Sequence, residues 1–205
     1  MSASSLVFHD DGARPLQFHP DRWHAPASDA ERQFLGALAG PVLDVGCGPG
    51  RVLDALARRR VAVLGIDPSP TAVALARRRG GAALQRSVFD PLPGTGRWET
   101  VLLLDGNIGI GGDPPRLLRR CGSLIRPGGE VVVEVEPPGT SWRRCRARLE
   151  RGEVSSPWFP WAVVGRDAIG DLARAASLEV QRVVGVEHRW FVSLAHAGAE
   201  TRACA

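Results

Sequence analysis

Short, nearly continuous apolar runs alternate along this chain with segments of helical periodicity. Val42-Leu43-Asp44-Val45, Val61-Ala62-Val63-Leu64-Gly65-Ile66, Val101-Leu102-Leu103-Leu104 and Val131-Val132-Val133-Glu134-Val135 read as strands covered on both faces, the mark of a parallel sheet. Ala82 to Gln85 is a weaker strand candidate. Between the runs, Val52, Leu53, Leu56 and Ala57 fall on one helical face, as do Leu117, Leu118, Cys121, Leu124 and Ile125. Ser28 with Glu31 reads as a capping box opening a helix through Leu38, and Ser69-Pro70 as a cap followed by a first-turn proline. Strands and helices alternating at this spacing predict right-handed strand–helix–strand units and a doubly wound α/β domain.

The pattern changes toward the end. A helical segment near Asp167 to Ala176 leads to a strand from Leu178 to Val186, and Trp190, Val192 and Leu194 then alternate with Phe191 and Ser193. Three residues between those strands are too few for a parallel crossover, so an antiparallel pair is expected. From Ala195 to Ala205 the residues are small and polar and read as a flexible tail. Two pieces lie outside the alternation. Residues 1 to 27 read as an N-terminal cover segment, and residues 136 to 165 as an insertion acting as a lid. The insertion carries Arg143, Arg144, Arg146, Arg148 and Arg151, which could attract an anionic acceptor but read better, with Glu150 and Glu153, as a solvated helix face. Its Pro157-Trp158-Phe159-Pro160-Trp161 reads either as an apolar lid or as a hydrophobic staple. Both pieces are expected over the carboxyl ends of the strands, where such sheets bind ligands.

The 205 residues amount to one domain of ordinary globular composition, 44% hydrophobic and 23% charged, which excludes wholesale disorder and fibrous repeats. No apolar run approaches the roughly 18 residues of a membrane span, and the first residues lack a signal-peptide pattern. A soluble, cytoplasmic protein with no membrane association is expected. Cys47, Cys121, Cys145 and Cys204 are far apart, the five histidines equally so, and no metal site is expected. The net charge of +4 comes from 26 basic residues that are all arginine. Arg58 to Arg60 and Arg77 to Arg79 end helical patterns, where cations complement the helix dipole, so nucleic acid is not the expected partner.

The chemistry concentrates in Asp44-Val45-Gly46-Cys47-Gly48-Pro49-Gly50-Arg51, a buried strand ending in an acid and turning through glycines into a helix. Glycines suit a place where a ligand lies against bare main chain. The spacing is not the dinucleotide fingerprint, because Arg51 stands where its third glycine belongs and Pro49 removes a donor. A Walker loop needs a lysine, which this chain lacks. A ligand without phosphates fits better. Asp67 ends the second strand, where a carboxylate can accept both hydroxyls of a ribose; capping the next helix is the competing role.

These residues resemble the class I S-adenosylmethionine-dependent methyltransferase family. The likeness runs from about Pro41 to Leu194 and includes Ser87-Val88-Phe89-Asp90 and Leu124-Ile125-Arg126-Pro127-Gly128-Gly129. It implies a Rossmann-like, doubly wound seven-stranded sheet of order 3-2-1-4-5-7-6, with the last strand antiparallel and helices on both faces. It also implies that Gly46, Gly48 and Gly50 underlie the methionine portion of S-adenosylmethionine and that Asp44 helps hold its amino group. Asp67, with Pro68 beside it, would face the ribose, Asp90 the adenine amine, and Phe89 the adenine ring. Asp105 and Asn107 follow the fourth strand; contact with the cofactor's amino-acid end or the acceptor stands against a plain polar turn.

The Asn/Asp-Pro-Pro-aromatic motif of enzymes that methylate nucleic-acid or protein amines is absent there, which demotes nucleobase amino groups. The resemblance therefore implies methyl transfer to the O, N or S of a small, unidentified acceptor. A general base is needed only for an acceptor that arrives protonated, and His19 and His24 are the candidates by location. The rival readings are an NAD(P)-dependent oxidoreductase, an RNA-directed methyltransferase and a non-catalytic cofactor-binding partner. Oligomeric state is not legible.

Overall fold

The computed structural model describes residues 7–10, 20–151 and 153–198. In chain order the elements are β1 (Val7–Asp10), α1 (Pro20–His24), α2 (Asp29–Gly36), β2 (Val42–Val45), α3 (Arg51–Arg58), β3 (Val63–Asp67), α4 (Pro70–Arg78) and β4 (Ala83–Gln85). There follow β5 (Trp98–Leu103), a 3-10 segment (Asn107–Gly112), α5 (Pro114–Gly122), β6 (Ile125–Val135), β7 (Arg143–Arg151) and β8 (Val154–Ser155). The chain closes with β9 (Phe159–Val163), α6 (Ile169–Arg174), β10 (Leu178–Val186) and β11 (Arg189–His196).

The central sheet has seven strands in the order β4-β3-β2-β5-β6-β11-β10. Numbered within the sheet this is the expected 3-2-1-4-5-7-6. Strands β4, β3, β2, β5 and β6 run parallel, and β11 is antiparallel to both its neighbours. The apolar runs are continuous because alternate residues enter two different cores. Leu43, Val45, Val101, Leu103, Val131 and Val133 pack on one face with Leu117 and Leu118 of α5. Val42, Leu102, Leu104 and Val132 pack on the other with Leu35 and Leu56. Phe34 of α2 stacks on Phe191 of β11 at 4.1 Å between ring centroids, fixing α2 against the antiparallel end.

A second, smaller sheet joins the two segments that stand outside the alternation. Strand β7 pairs antiparallel with β1, β8 and β9. The arginine-rich stretch is thus a strand rather than the expected helix face. Cys145, Ala147 and Leu149 alternate with Arg144, Arg146 and Arg148 at a period of two, and Ala147 is fully buried beside Trp161. Of the proposed tail, Ala195 and His196 continue β11, paired with Glu179 and Leu178, while residues 199–205 lie outside the described residues. No helix among the described residues is long and apolar enough to cross a membrane.

Candidate active site

The carboxyl ends of β2, β3 and β5 meet at one edge of the sheet, and the loop after β2 is pinned there from three sides. The Gly46 and Cys47 N–H groups donate to the Ile66 carbonyl at 2.8 and 3.0 Å, and Gly50 N–H donates to Cys47 O at 3.0 Å. Gly48 N–H donates to Asp67 Oδ2 at 3.0 Å. Pro49 has no donor, so every N–H from Gly46 to Gly50 is already bonded within the protein. Asn107 closes the third side: its Nδ2 donates to Val45 O at 2.8 Å and Gly46 O at 3.1 Å. Its amide is committed to holding the loop. Glycine is required at two positions in particular. A Cβ at Gly50, where φ is +87°, would stand 2.9 Å from Ala76 Cα, whereas one at Gly48 would meet nothing within 4 Å. The first lets α4 pack close; the second leaves open space above the main chain.

Asp67 does not cap α4, whose N-cap is Ser69; it braces the turn before that helix and the glycine loop. Its Oδ1 accepts from Ser69 N–H at 2.8 Å while Oδ2 takes Gly48, and Ser69 Oγ itself accepts from Ala72 N–H. Burial raises the Asp67 pKa despite the two amides that favour its ionised form. A carboxylate accepts about four hydrogen bonds, so lone pairs remain for a ligand. Pro68 is exposed beside it, its carbonyl 3.5 Å from Gln85 Nε2. Asp90 folds back onto Ser87 N–H at 2.8 Å, and Arg120 of α5 donates to the Val88 and Asp90 carbonyls, both at 2.8 Å. The half-buried Phe89 ring carries the Arg116 guanidinium at 4.5 Å.

Beneath the loop lies a charge cluster that the sequence did not reveal. Arg51 bridges Glu31 and Asp105, and Arg189 bridges Glu31 at 2.7 Å, Glu134 at 2.6 Å and Asp105 at 3.3 Å. Ser28 caps α2 as expected, accepting from Glu31 N–H, but the Glu31 carboxylate turns inward to the two arginines instead of completing the box. Desolvation works against its charge, yet Arg51 and Arg189 hold its pKa below the ordinary value. Asp44, 2% exposed, is different: burial, Asp105, Asp67 and Glu31 together push it up to about 7 against the pull of Arg51. Among the described residues its Oδ2 has no hydrogen-bond partner, and neither has Arg51 Nε. Glu134 interrupts an apolar run and Arg51 directly follows the glycine loop; these were the available signals.

Beyond Asp105 a cavity of about 280 Å³ opens between the sheet edge and the second sheet. Asp105, Gly106, Glu134, Glu136, the Ala162-Val163-Val164 run and the β10–β11 turn line it, with Arg22 and Trp23 of α1. Trp161 and Ala162 lie directly over Gly109, where a Cβ would stand 2.2 Å from Ala162 O. Of the two candidate bases, His19 lies outside the described residues. His24 is exposed, its carbonyl accepting from Arg79 at 2.6 Å, and is not part of the cavity wall.

With this geometry in view, three comparisons bear on the chain. A model described as a methyltransferase domain matches residues 21–193. The ubiquinone biosynthesis O-methyltransferase of Pseudomonas paraeruginosa is 35% identical over 169 residues, covering 74% of this chain and 70% of that protein. An uncharacterized protein of Mycobacterium tuberculosis is 33% identical over 125 residues, 60% of this chain, and the match spans only 42% of that longer protein. A SAM-dependent methyltransferase from Bacteroides fragilis, solved with S-adenosyl-L-homocysteine, superposes with a TM-score of 0.79 at 22% identity, over 96% of this chain and 89% of that one. The chain belongs to the methyltransferase-domain family.

Proposed function

We propose that this protein moves a methyl group from S-adenosylmethionine to a small organic acceptor. The observation that carries the reading is the glycine loop itself. Its N–H groups from Gly46 to Gly50 are bonded internally, so the loop is no cradle for a pyrophosphate, which argues against a nicotinamide dinucleotide. It instead offers an open main-chain surface at Gly48 with the Asp67 carboxylate beside it. Two further features fit the donor. Asp44 Oδ2 and Arg51 Nε are buried and unpaired among the described residues, an acceptor and a donor that complement the ammonium and carboxylate of a methionine moiety. Glu31, Asp44, Asp105 and Glu134 outnumber Arg51 and Arg189, so a cationic sulfonium ligand is electrostatically favoured.

In this reading Asp67 and Pro68 face the ribose, Asp90 and Phe89 the adenine, and Gly46, Gly48, Gly50, Asp44 and Asp105 the amino-acid end. When bound, the donor supplies an electrophilic methyl carbon. The chain's residues then fix its direction and exclude water, so that the acceptor meets it in line. The second sheet and α1 wall the acceptor side, consistent with Trp23 and Val163 in the cavity lining. The ubiquinone biosynthesis and trans-aconitate relatives are named as methyltransferases of small molecules, which supports an acceptor of that size. Incubation with methyl-labelled S-adenosylmethionine and a panel of small amines, alcohols, thiols and acids tests this. Label transferred to one class, with matching release of S-adenosylhomocysteine, is expected. Donor binding without transfer to any member would favour a non-catalytic binding partner.

A further inference from the structure

The cavity beside the glycine loop is not neutral. Its wall includes Asp105, Glu134, Glu136 and Glu187 together with Arg22 and Arg189. Asp105 and Glu134 are occupied by Arg189, and Glu187 accepts from Ser28 Oγ at 2.9 Å. Glu136 is the exception. It sits just past the end of β6, two residues on from Glu134 and so on the same side of the extended chain. Its backbone is fixed from both directions, with its N–H donating to Val164 O and its carbonyl accepting from Arg166 N–H, both at 2.9 Å. Its half-buried side chain receives no hydrogen bond or ion pair from any described residue.

The position of this free carboxylate relative to the donor follows from the loop contacts. Asn107 holds the Val45 and Gly46 carbonyls, and its neighbours Gly106 and Ile108 line the cavity. Whatever occupies the cavity therefore lies next to the loop that carries the donor's amino-acid end. Three of the five non-glycine residues with positive φ among the described residues, Asp105, Glu187 and His188, line this same cavity. Glu187 and His188 are the two central residues of the β10–β11 hairpin, whose two-residue turn requires positive φ at both.

Resting on the methyltransferase reading above, we propose that the acceptor is an amine and that Glu136 receives its ammonium and takes its proton. An ammonium is the group that an unpaired, partly desolvated carboxylate selects; an alcohol gains less there, and a carboxylate is repelled. The proton passes from the ammonium nitrogen to a Glu136 carboxylate oxygen, leaving a neutral amine. The nitrogen lone pair then forms the new N–C bond as the S–C bond to the sulfonium breaks. The products are an N-methylammonium ion and the neutral thioether S-adenosylhomocysteine, and Glu136 returns its proton to solvent. Burial and the neighbouring Glu134 raise the Glu136 pKa, the direction that makes its carboxylate a stronger proton acceptor.

The test uses the whole chain loaded with S-adenosylhomocysteine, with benzylamine, benzyl alcohol and benzoate as matched probes in titration calorimetry. Benzylamine binding at least about tenfold tighter than either of the others is expected, with Glu136→Gln erasing that preference while S-adenosylhomocysteine affinity stays unchanged. Equal or weaker binding of the amine, including no detectable binding of any probe, overturns the proposal. So does a preference that survives in Glu136→Gln. These outcomes leave the methyltransferase reading standing. Failure of S-adenosylhomocysteine itself to bind the unaltered chain would overturn that reading and this one together.

Discussion

The Asp67 carboxylate reaches from the tip of β3 to the Gly48 N–H at 3.0 Å, joining the ends of two neighbouring parallel strands through one side chain. The same carboxylate shapes the loop and is proposed to face the ribose as well. Asp67→Ala is expected to weaken S-adenosylhomocysteine binding by about 1.5–3 kcal/mol, the size of hydrogen bonds to a charged group. It should also speed hydrogen exchange at the Gly48 amide. Faster exchange with unchanged affinity would assign Asp67 to loop structure alone.

Gly48 and Gly50 are expected to separate binding from folding. Both have positive φ, so an alanine at either costs about 1–2 kcal/mol in backbone conformation. At Gly50 the new Cβ also meets Ala76, whereas at Gly48 it projects into open space. Gly50→Ala should therefore lose the more stability in urea unfolding. Gly48→Ala should unfold closer to the parent chain yet bind S-adenosylhomocysteine at least about tenfold more weakly.

Asp44 predicts a pH dependence of known sign. Its pKa is pushed from 3.8 to about 7 in the folded chain, so the folded state holds the proton that the unfolded state releases. Stability from this group is present below about pH 4 and is lost as pH rises toward about 7. Relative to the parent, Asp44→Asn should gain up to about 4 kcal/mol between pH 4 and pH 8, measured by urea unfolding at each pH. Parallel pH profiles for the two chains would contradict this.

Arg189 holds three carboxylates under the loop while itself 8% exposed. Removing one partner of a buried ionic cluster leaves the others uncompensated. Arg189→Met is expected to lose about 3–5 kcal/mol in urea unfolding. Arg58→Ala, which breaks only the exposed i,i+4 pair with Asp54, should not change stability measurably. Comparable losses in both variants would show that the cluster has no special weight.

What the sequence disclosed follows from the range of the interactions involved. The parallel sheet was legible because continuous runs such as Val131 to Val135 must be covered on both faces, and the short β10–β11 connection forces an antiparallel end; the strand order followed from the family resemblance, not from the pattern. The loop from Gly46 to Gly50 was legible because its constraint is local. Strand β7 was misread although Cys145, Ala147 and Leu149 carry its period of two; the intervening arginines masked a one-sided strand as a charged helix. The Glu31–Arg189 pair spans 158 residues, and no local pattern announces it. Glu136 was likewise invisible, because no local pattern shows that its side chain is left without a partner among the described residues.

The cradle formed by Gly48 and Asp67 is proposed to hold a sulfur-bearing nucleoside without phosphates. Titration calorimetry of the unaltered chain with S-adenosylhomocysteine, and separately with NAD⁺ and NADP⁺, addresses it directly. Saturable one-to-one binding of S-adenosylhomocysteine, with no heat from either dinucleotide, is the expected result. Saturable binding of a dinucleotide with none of S-adenosylhomocysteine would contradict the account.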